Sequence, residues 1–170
     1  MPRSYPPQLQ ARQSQLIRNH VDQIWDRFHR MWTAFNALYN AAGAPSERAK
    51  VRAIVQRFVT ERRGRELLSK LLPPKRHLPD PPPGDTRYAK TDPRFRRASG
   101  RELAMVRNEA AGASDRLAAL MVLVYQVRCS LVHGNKNPER QRDNELVKWG
   151  VDTLELVVPA LEEVMSGRQT

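Results

Sequence analysis

The sequence predicts an all-α protein, an antiparallel bundle of four to six helices interrupted by one long proline-rich basic loop. Three observations carry that expectation. Apolar residues return at three- and four-residue steps through most of the chain, as they do on one face of an α-helix. Seven of the thirteen prolines fall between Pro73 and Pro93, so the helix-breaking residues are concentrated in one segment. No alternating run is long enough to nominate a strand, and no period of about 20 to 50 residues repeats.

The first helix is expected over residues 8–42. Ile17, Val21, Ile24, Phe28, Met31, Phe35 and Leu38 form its apolar stripe. Trp25, Trp32 and Tyr39 widen that stripe and are read as core residues, and Gly43 and Pro45 mark its end. Ser46 then caps a second helix carrying Val51, Ile54, Val55 and Phe58. A shorter third helix is expected from Glu66 to Leu72, stopped by Pro73 and Pro74.

Residues 73–100 mix proline with Lys75, Arg76, Arg87, Lys90, Arg94, Arg96 and Arg97, and read as a basic surface loop. A short helix over Ser99 to Ala111 follows, with Leu103 and Val106 as its apolar positions. Leu117, Leu120, Met121, Val124, Val127 and Leu131 define a strongly apolar central helix over 114–134. The last helix, 142–166, turns Leu146, Gly150, Leu154, Val157, Val158, Leu161 and Met165 to one side, and Pro159 should kink it or end it locally. The length of 170 residues suits a single domain with its own core, spanning 1–170.

The net charge of +11 is unevenly placed. Residues 1–107 hold 22 Lys and Arg against 9 Asp and Glu, a balance of +13, whereas residues 108–170 hold 7 against 9, a balance of −2. A field of that size favours polyanions through counterion release, which makes nucleic acid a candidate partner; solubility, or an acidic partner protein, accounts for the same charge. The lone Cys129 has no intrachain partner for a disulfide and no second cysteine for a zinc site, so a reducing compartment, the cytoplasm, is expected. No stretch approaches the ~20 apolar residues that span a bilayer, and Met1 to Gln15 lacks the apolar run of a signal peptide. His20, His29 and His77 show no metal-ligand spacing, and no glycine-rich phosphate loop occurs, so no metal or cofactor is expected.

The most informative segment is Tyr125-Gln126-Val127-Arg128-Cys129-Ser130-Leu131-Val132-His133-Gly134-Asn135-Lys136. It places a fixed cation and a titratable imidazole five positions apart at a helix end. On an unbroken helix they point about 140° apart, but Gly134 lets the helix stop and the histidine swing toward Arg128. Arg128 follows an apolar run and needs a counter-charge or a cleft; a salt bridge to an acid of the last helix serves as well as a phosphate. His133 likewise suits a helix C-terminus on electrostatic grounds alone. Cys129 is read as a packed residue, since nothing beyond the nearby histidine suggests a nucleophile.

Arginine, four residues, histidine resembles the Rx4-6H signature of HEPN domains, in the variant where His-Gly and a nearby Lys follow. The stretch Trp32-Thr33-Ala34-Phe35-Asn36-Ala37-Leu38-Tyr39-Asn40 is similar to the first-helix pattern of some HEPN proteins. Where the family often places Asn, Asp or His directly after the arginine, this chain has Cys129. The resemblance implies a helical bundle that dimerises so that two Arg/His pairs share a cleft, and, in active members, RNA cleavage without a metal. Arg128 and His133 are then the catalytic pair. Ser130, Asn135, Lys136, Arg94, Arg96 and Arg97 are candidates for substrate binding. The expected partners are RNA, a second copy of the chain, and an antitoxin or nucleotidyltransferase, with no membrane. Two other readings stay open: a non-catalytic HEPN protein that binds RNA or protein, and a helical interaction module in which both residues only support the fold.

Overall fold

The computed structural model describes residues 7–73, 78, 81–133 and 137–167, the first eight of these as backbone only. Among them the chain forms six α-helices and no strand: α1 (Pro7–Tyr39), α2 (Glu47–Phe58), α3 (Glu61–Leu71), α4 (Arg94–Arg107), α5 (Ala113–Val132) and α6 (Gln141–Met165). A single 3-10 turn, Asn40–Ala42, ends α1, and Gly43 follows in the left-handed conformation at φ 66°, where the absence of a Cβ removes the steric cost.

The core is organised around α5. From Leu117 to Val124 every residue is buried, so no face of that stretch reaches water. A helix apolar on all sides must be surrounded, and α2, α3, α4 and α6 all pack on it. Leu120 and Leu123 are fully buried, and truncating either to alanine costs about 2–5 kcal/mol through lost burial and the cavity left behind. The start of α5 is held from outside the helix. Glu61 of α3 accepts from the Ala113 amide at 2.7 Å and the Ser114 amide at 3.2 Å, satisfying two amides that helix geometry leaves open.

The long α1 lies along α6. Phe28 seats against Gly150, where a Cβ would stand 2.5 Å from the ring, so the small residue sets how closely the two helices approach. Trp25 donates its indole N–H to Asn144 at 2.9 Å. Phe28, Trp32, Phe35 and Tyr39 are buried in the core. Residues 15–20 at the other end of the helix are all exposed.

Helix boundaries depart from the sequence expectation in instructive places. Ser46 caps α2 by accepting from the Ala49 amide, as its residue type predicts. The third helix begins at Glu61, a turn and more before Glu66, because Thr60 caps it by accepting from the Arg63 amide. α4 starts at Arg94 instead of Ser99: Asp92 accepts from the Arg94 amide at 2.8 Å, and Phe95 supplies an apolar anchor. The proline-rich loop is therefore shorter than 73–100. Pro159 does not end α6, which runs through it to Met165 with the proline on the exposed side.

Within the loop, Pro83, Gly84 and Asp85 are buried. The Asp85 amide donates to the Phe95 carbonyl at 2.7 Å, and a Cβ on Gly84 would fall inside the Phe95 ring. Only glycine lets the loop backbone lie on that ring. No helix among the described residues is long and apolar enough to cross a membrane.

Candidate functional site

Arg128 and His133 both lie at the C-terminal end of α5. The helix holds its course through the motif: Val132 is its last residue, and the His133 amide still donates to the Cys129 carbonyl at 3.1 Å. With 3.6 residues per turn, the two Cα atoms project about 140° apart. Up to His133 the backbone makes no turn toward Arg128, and Gly134, the residue expected to permit one, lies outside the described residues with Asn135 and Lys136. Among the described residues no hydrogen bond joins the pair.

Arg128 faces the start of α2. Its Nη1 stands 3.5 Å from Glu47 Oε2, with 29% of the arginine side chain still exposed. Glu47 also accepts from the Tyr39 hydroxyl at 2.5 Å. Tyr125 completes the group, its hydroxyl set against Cys129 and Glu47. Burial is the main reason both phenols are pushed far above their ordinary value, followed by hydrogen bonding to Glu47 for Tyr39 and to Cys129 for Tyr125. A phenolate beside a carboxylate in a half-buried site is strongly disfavoured, so both tyrosines stay neutral donors. The counter-charge expected on the last helix thus comes from Glu47, whose signal in the sequence was only an acid directly after a capping serine.

A neighbouring ion network was not foreseen. Glu102, 6% exposed, receives Arg48 and Arg52 at 2.6 Å each, and Asp85, 4% exposed, receives Arg87 and Arg48. Burial alone would raise the Asp85 carboxyl. Hydrogen bonds and charge from Arg87, with the charge of Arg48, outweigh it and hold Asp85 below the ordinary carboxylate range. Glu47, Arg48, Asp85, Arg87, Tyr125 and Cys129 line a cleft of about 130 Å³ between α2, α5 and the loop. Its mixed charges are already paired with each other.

His133 is exposed. Counting around α5, it projects about 40° from Cys129 and about 60° from Ser130, one turn above them. Cys129 opens on the cleft just described; Ser130, itself 3% exposed, lines a second cleft of about 240 Å³. The histidine itself lines neither cleft but lies near both in helical angle, whereas Arg128, about 60° from Tyr125 and paired with Glu47, borders the first cleft only.

The remaining predicted substrate-binding residues divide. Arg94 is paired with Asp92 at 2.7 Å and lies over the Tyr88 ring at 4.6 Å, so its charge is already engaged. Arg96 lines the second cleft with Ser130. Arg97 is exposed on α4 and lines neither opening. A larger groove, of about 710 Å³, runs between Ile17, Val21 and Ile24 of α1 and the start of α6, and holds none of the motif residues. Among the described residues no cluster of His, Cys, Asp or Glu is placed to hold a metal ion.

In comparisons with known proteins, no family model, curated protein or solved structure matches this chain. The resemblance to HEPN domains accordingly rests on the motif residues and the first-helix pattern, within an all-helical architecture.

Proposed function

We propose that this chain is an endoribonuclease of HEPN type that needs no metal, acting in the cytoplasm as a toxin or antiphage effector. The observation that carries the reading is the exposed His133 at the end of the buried central helix, within about 60° of Cys129 and Ser130, which line two clefts. RNA supplies its own nucleophile. As the 2′-oxygen attacks phosphorus, its proton passes to the imidazole, the bond from phosphorus to the 5′-oxygen breaks, and that oxygen takes up a proton as it leaves. The products are a 2′,3′-cyclic phosphate and a 5′-hydroxyl. Imidazole takes the first proton as a base and, as imidazolium, gives one to the departing 5′-oxygen, two roles this side chain is suited to.

Arg128 supplies the permanent charge that offsets the electron density building on the phosphoryl oxygens. Its pair with Glu47 is long and partly solvated, the weak kind of ion pair, typically about 0–1 kcal/mol. A phosphate competes with such a partner at small cost. Because one chain aims the two groups about 140° apart, the reading places the active site across a two-fold dimer, His133 of one copy facing Arg128 of the other. An antitoxin or nucleotidyltransferase is the class of partner that would restrain it.

The pairing of Arg128 with Glu47 is also what favours a second reading, a non-catalytic HEPN protein that binds RNA or a protein partner. An end-labelled RNA incubated in EDTA separates the two. Cleavage by the wild type, lost in His133→Ala with the fold and RNA affinity kept, supports the nuclease. An intact RNA in both samples leaves the binding protein as the better account.

A further inference from the structure

The second cleft is built differently from the first. It lies where the loop (Pro81 to Gly84), the start of α4, Ser130 of α5 and the start of α6 come together. Four cations line it: Lys90, Arg96, Arg140 and Arg142. Arg142 is fixed by donating to the Pro81 carbonyl at 2.5 Å. The other three are exposed, and among the described residues none has an ion pair or a side-chain hydrogen bond. The lone carboxylate, Asp143, is 6% exposed and accepts from the Asn137 amide at 2.9 Å. Arg62, Arg65, Arg97 and Arg101 are likewise exposed without an ion pair among the described residues; what sets Lys90, Arg96 and Arg140 apart is that all three line one opening.

Two further features favour an anion in this place. α6 begins here without a side-chain cap from Arg140, and the positive end of this 25-residue helix, offset in part by Asp143 in its first turn, adds to the same field. Pro83, Phe95 and Leu146 give the cleft an apolar wall suited to a sugar ring. At about 240 Å³ the space is of the order of one phosphate with its ribose.

We propose that this cleft is a phosphate subsite that seats one backbone step of single-stranded RNA beside His133, with Lys90, Arg96 and Arg140 as its cations. It rests on the nuclease reading for the identity of the polyanion. The division of labour follows from the face of α5 that each group occupies. Ser130, on the cleft wall, lies about 60° from His133 but about 160° from Arg128. Within one chain, the charge available to position a phosphate near the imidazole thus comes from the loop, α4 and the start of α6.

The test uses the whole chain and a fluorescent 2′-O-methyl RNA oligonucleotide, which lacks the nucleophile and so reports binding alone. Anisotropy is followed from low to high salt for the wild type, for the triple variant Lys90→Gln, Arg96→Gln, Arg140→Gln, and for a charge-matched control, Arg57→Gln, Arg62→Gln, Arg65→Gln. The control residues are exposed and line neither cleft. Three lost phosphate contacts reduce the slope of log K against log salt by about 2, and weaken binding about 100-fold at 0.1 M salt, at about 0.7 per contact for a single strand. The control should change affinity less than about threefold, and Arg96→Lys with Arg140→Lys should keep most of it.

Equal losses in the two triple variants, or none in either, overturn the subsite. So does a loss confined to inorganic phosphate, with the oligonucleotide bound as before, which would make the cleft a small-anion site. Uncut RNA in the cleavage assay combined with a slope loss confined to the cleft variant ends the nuclease reading and leaves the subsite standing. Undiminished cleavage with wild-type binding in the triple variant does the reverse.

Discussion

Two groups of cations stand on opposite terms in this molecule. Around α2, Arg48 and Arg52 point at the buried acids Glu102 and Asp85, and their charge is engaged within the fold. Around the start of α6, Lys90, Arg96 and Arg140 line an opening whose one carboxylate, the buried Asp143, bonds none of them among the described residues. Net charge does not distinguish these cases; the partners do. The first set contributes to stability and little to the outward field, the second the reverse.

The sharpest way to break that comparison is to remove an acid from the first group. Glu102→Leu leaves Arg48 and Arg52 without their shared carboxylate. It should cost about 2–3 kcal/mol in urea unfolding, below the ~3–5 typical of a fully buried pair because both guanidiniums are partly exposed. A loss under about 0.5 kcal/mol would place Glu102 among ordinary surface residues.

A smaller effect is expected from Glu47→Gln, which keeps a hydrogen-bonding group for Tyr39 but removes the charge facing Arg128. Stability should fall by about 1 kcal/mol or less. With its competitor gone, Arg128 should bind RNA up to about fivefold more tightly, the ~1 kcal/mol of the displaced pair. Affinity unchanged from the wild type would show that Arg128 does not meet RNA.

The tyrosines beside Glu47 provide a test by pH. Both are held protonated in the folded state above their ordinary value of 10.0, so the folded chain binds those protons more tightly than the unfolded one. The stability they contribute is complete below pH 10 and is lost as pH rises past it. In a spectrophotometric titration of the phenols at pH 11, Tyr39 and Tyr125 should remain protonated while the chain stays folded, and should titrate together with unfolding at higher pH. At the acid end Asp85, held below 3.8 by Arg87 and Arg48 against its own burial, stabilises the fold above that pH and ceases to do so as pH falls through its lowered value. The smallest effect belongs to Arg97→Ala, exposed and outside both clefts, which should leave stability within about 0.5 kcal/mol and RNA affinity near that of the wild type.

The helical class and most element positions were legible because they depend on periodicity, and periodicity is local. α5 announces itself by apolar residues on all sides, α2 by its serine cap. What local pattern does not carry is pairing across the chain. Glu102 and Asp85 look like solvated acids in the sequence, and only the fold brings Arg48, 54 and 37 residues away respectively, to meet them. The start of α4 was hidden because Arg94, Arg96 and Arg97 read as loop charge, while Phe95, the residue that anchors the turn, is one aromatic among them. For the site, the sequence brought Arg128 and His133 to one helix end. It left open whether the helix would stop early enough for the histidine to turn toward the arginine, which up to His133 it does not, and it did not disclose that Arg140 and Lys90 join Arg96 at one opening.

The decisive measurement is the end chemistry of a labelled single-stranded RNA incubated in EDTA with the wild-type chain and with His133→Ala. The account predicts fragments ending in 2′,3′-cyclic phosphate from the wild type and none from DNA of the same sequence. The variant, still folded and still binding, should cut about 100-fold more slowly or worse, the usual scale of a lost general acid or base. Cleavage that persists at the wild-type rate in His133→Ala, or fragments carrying 5′-phosphates, would contradict it.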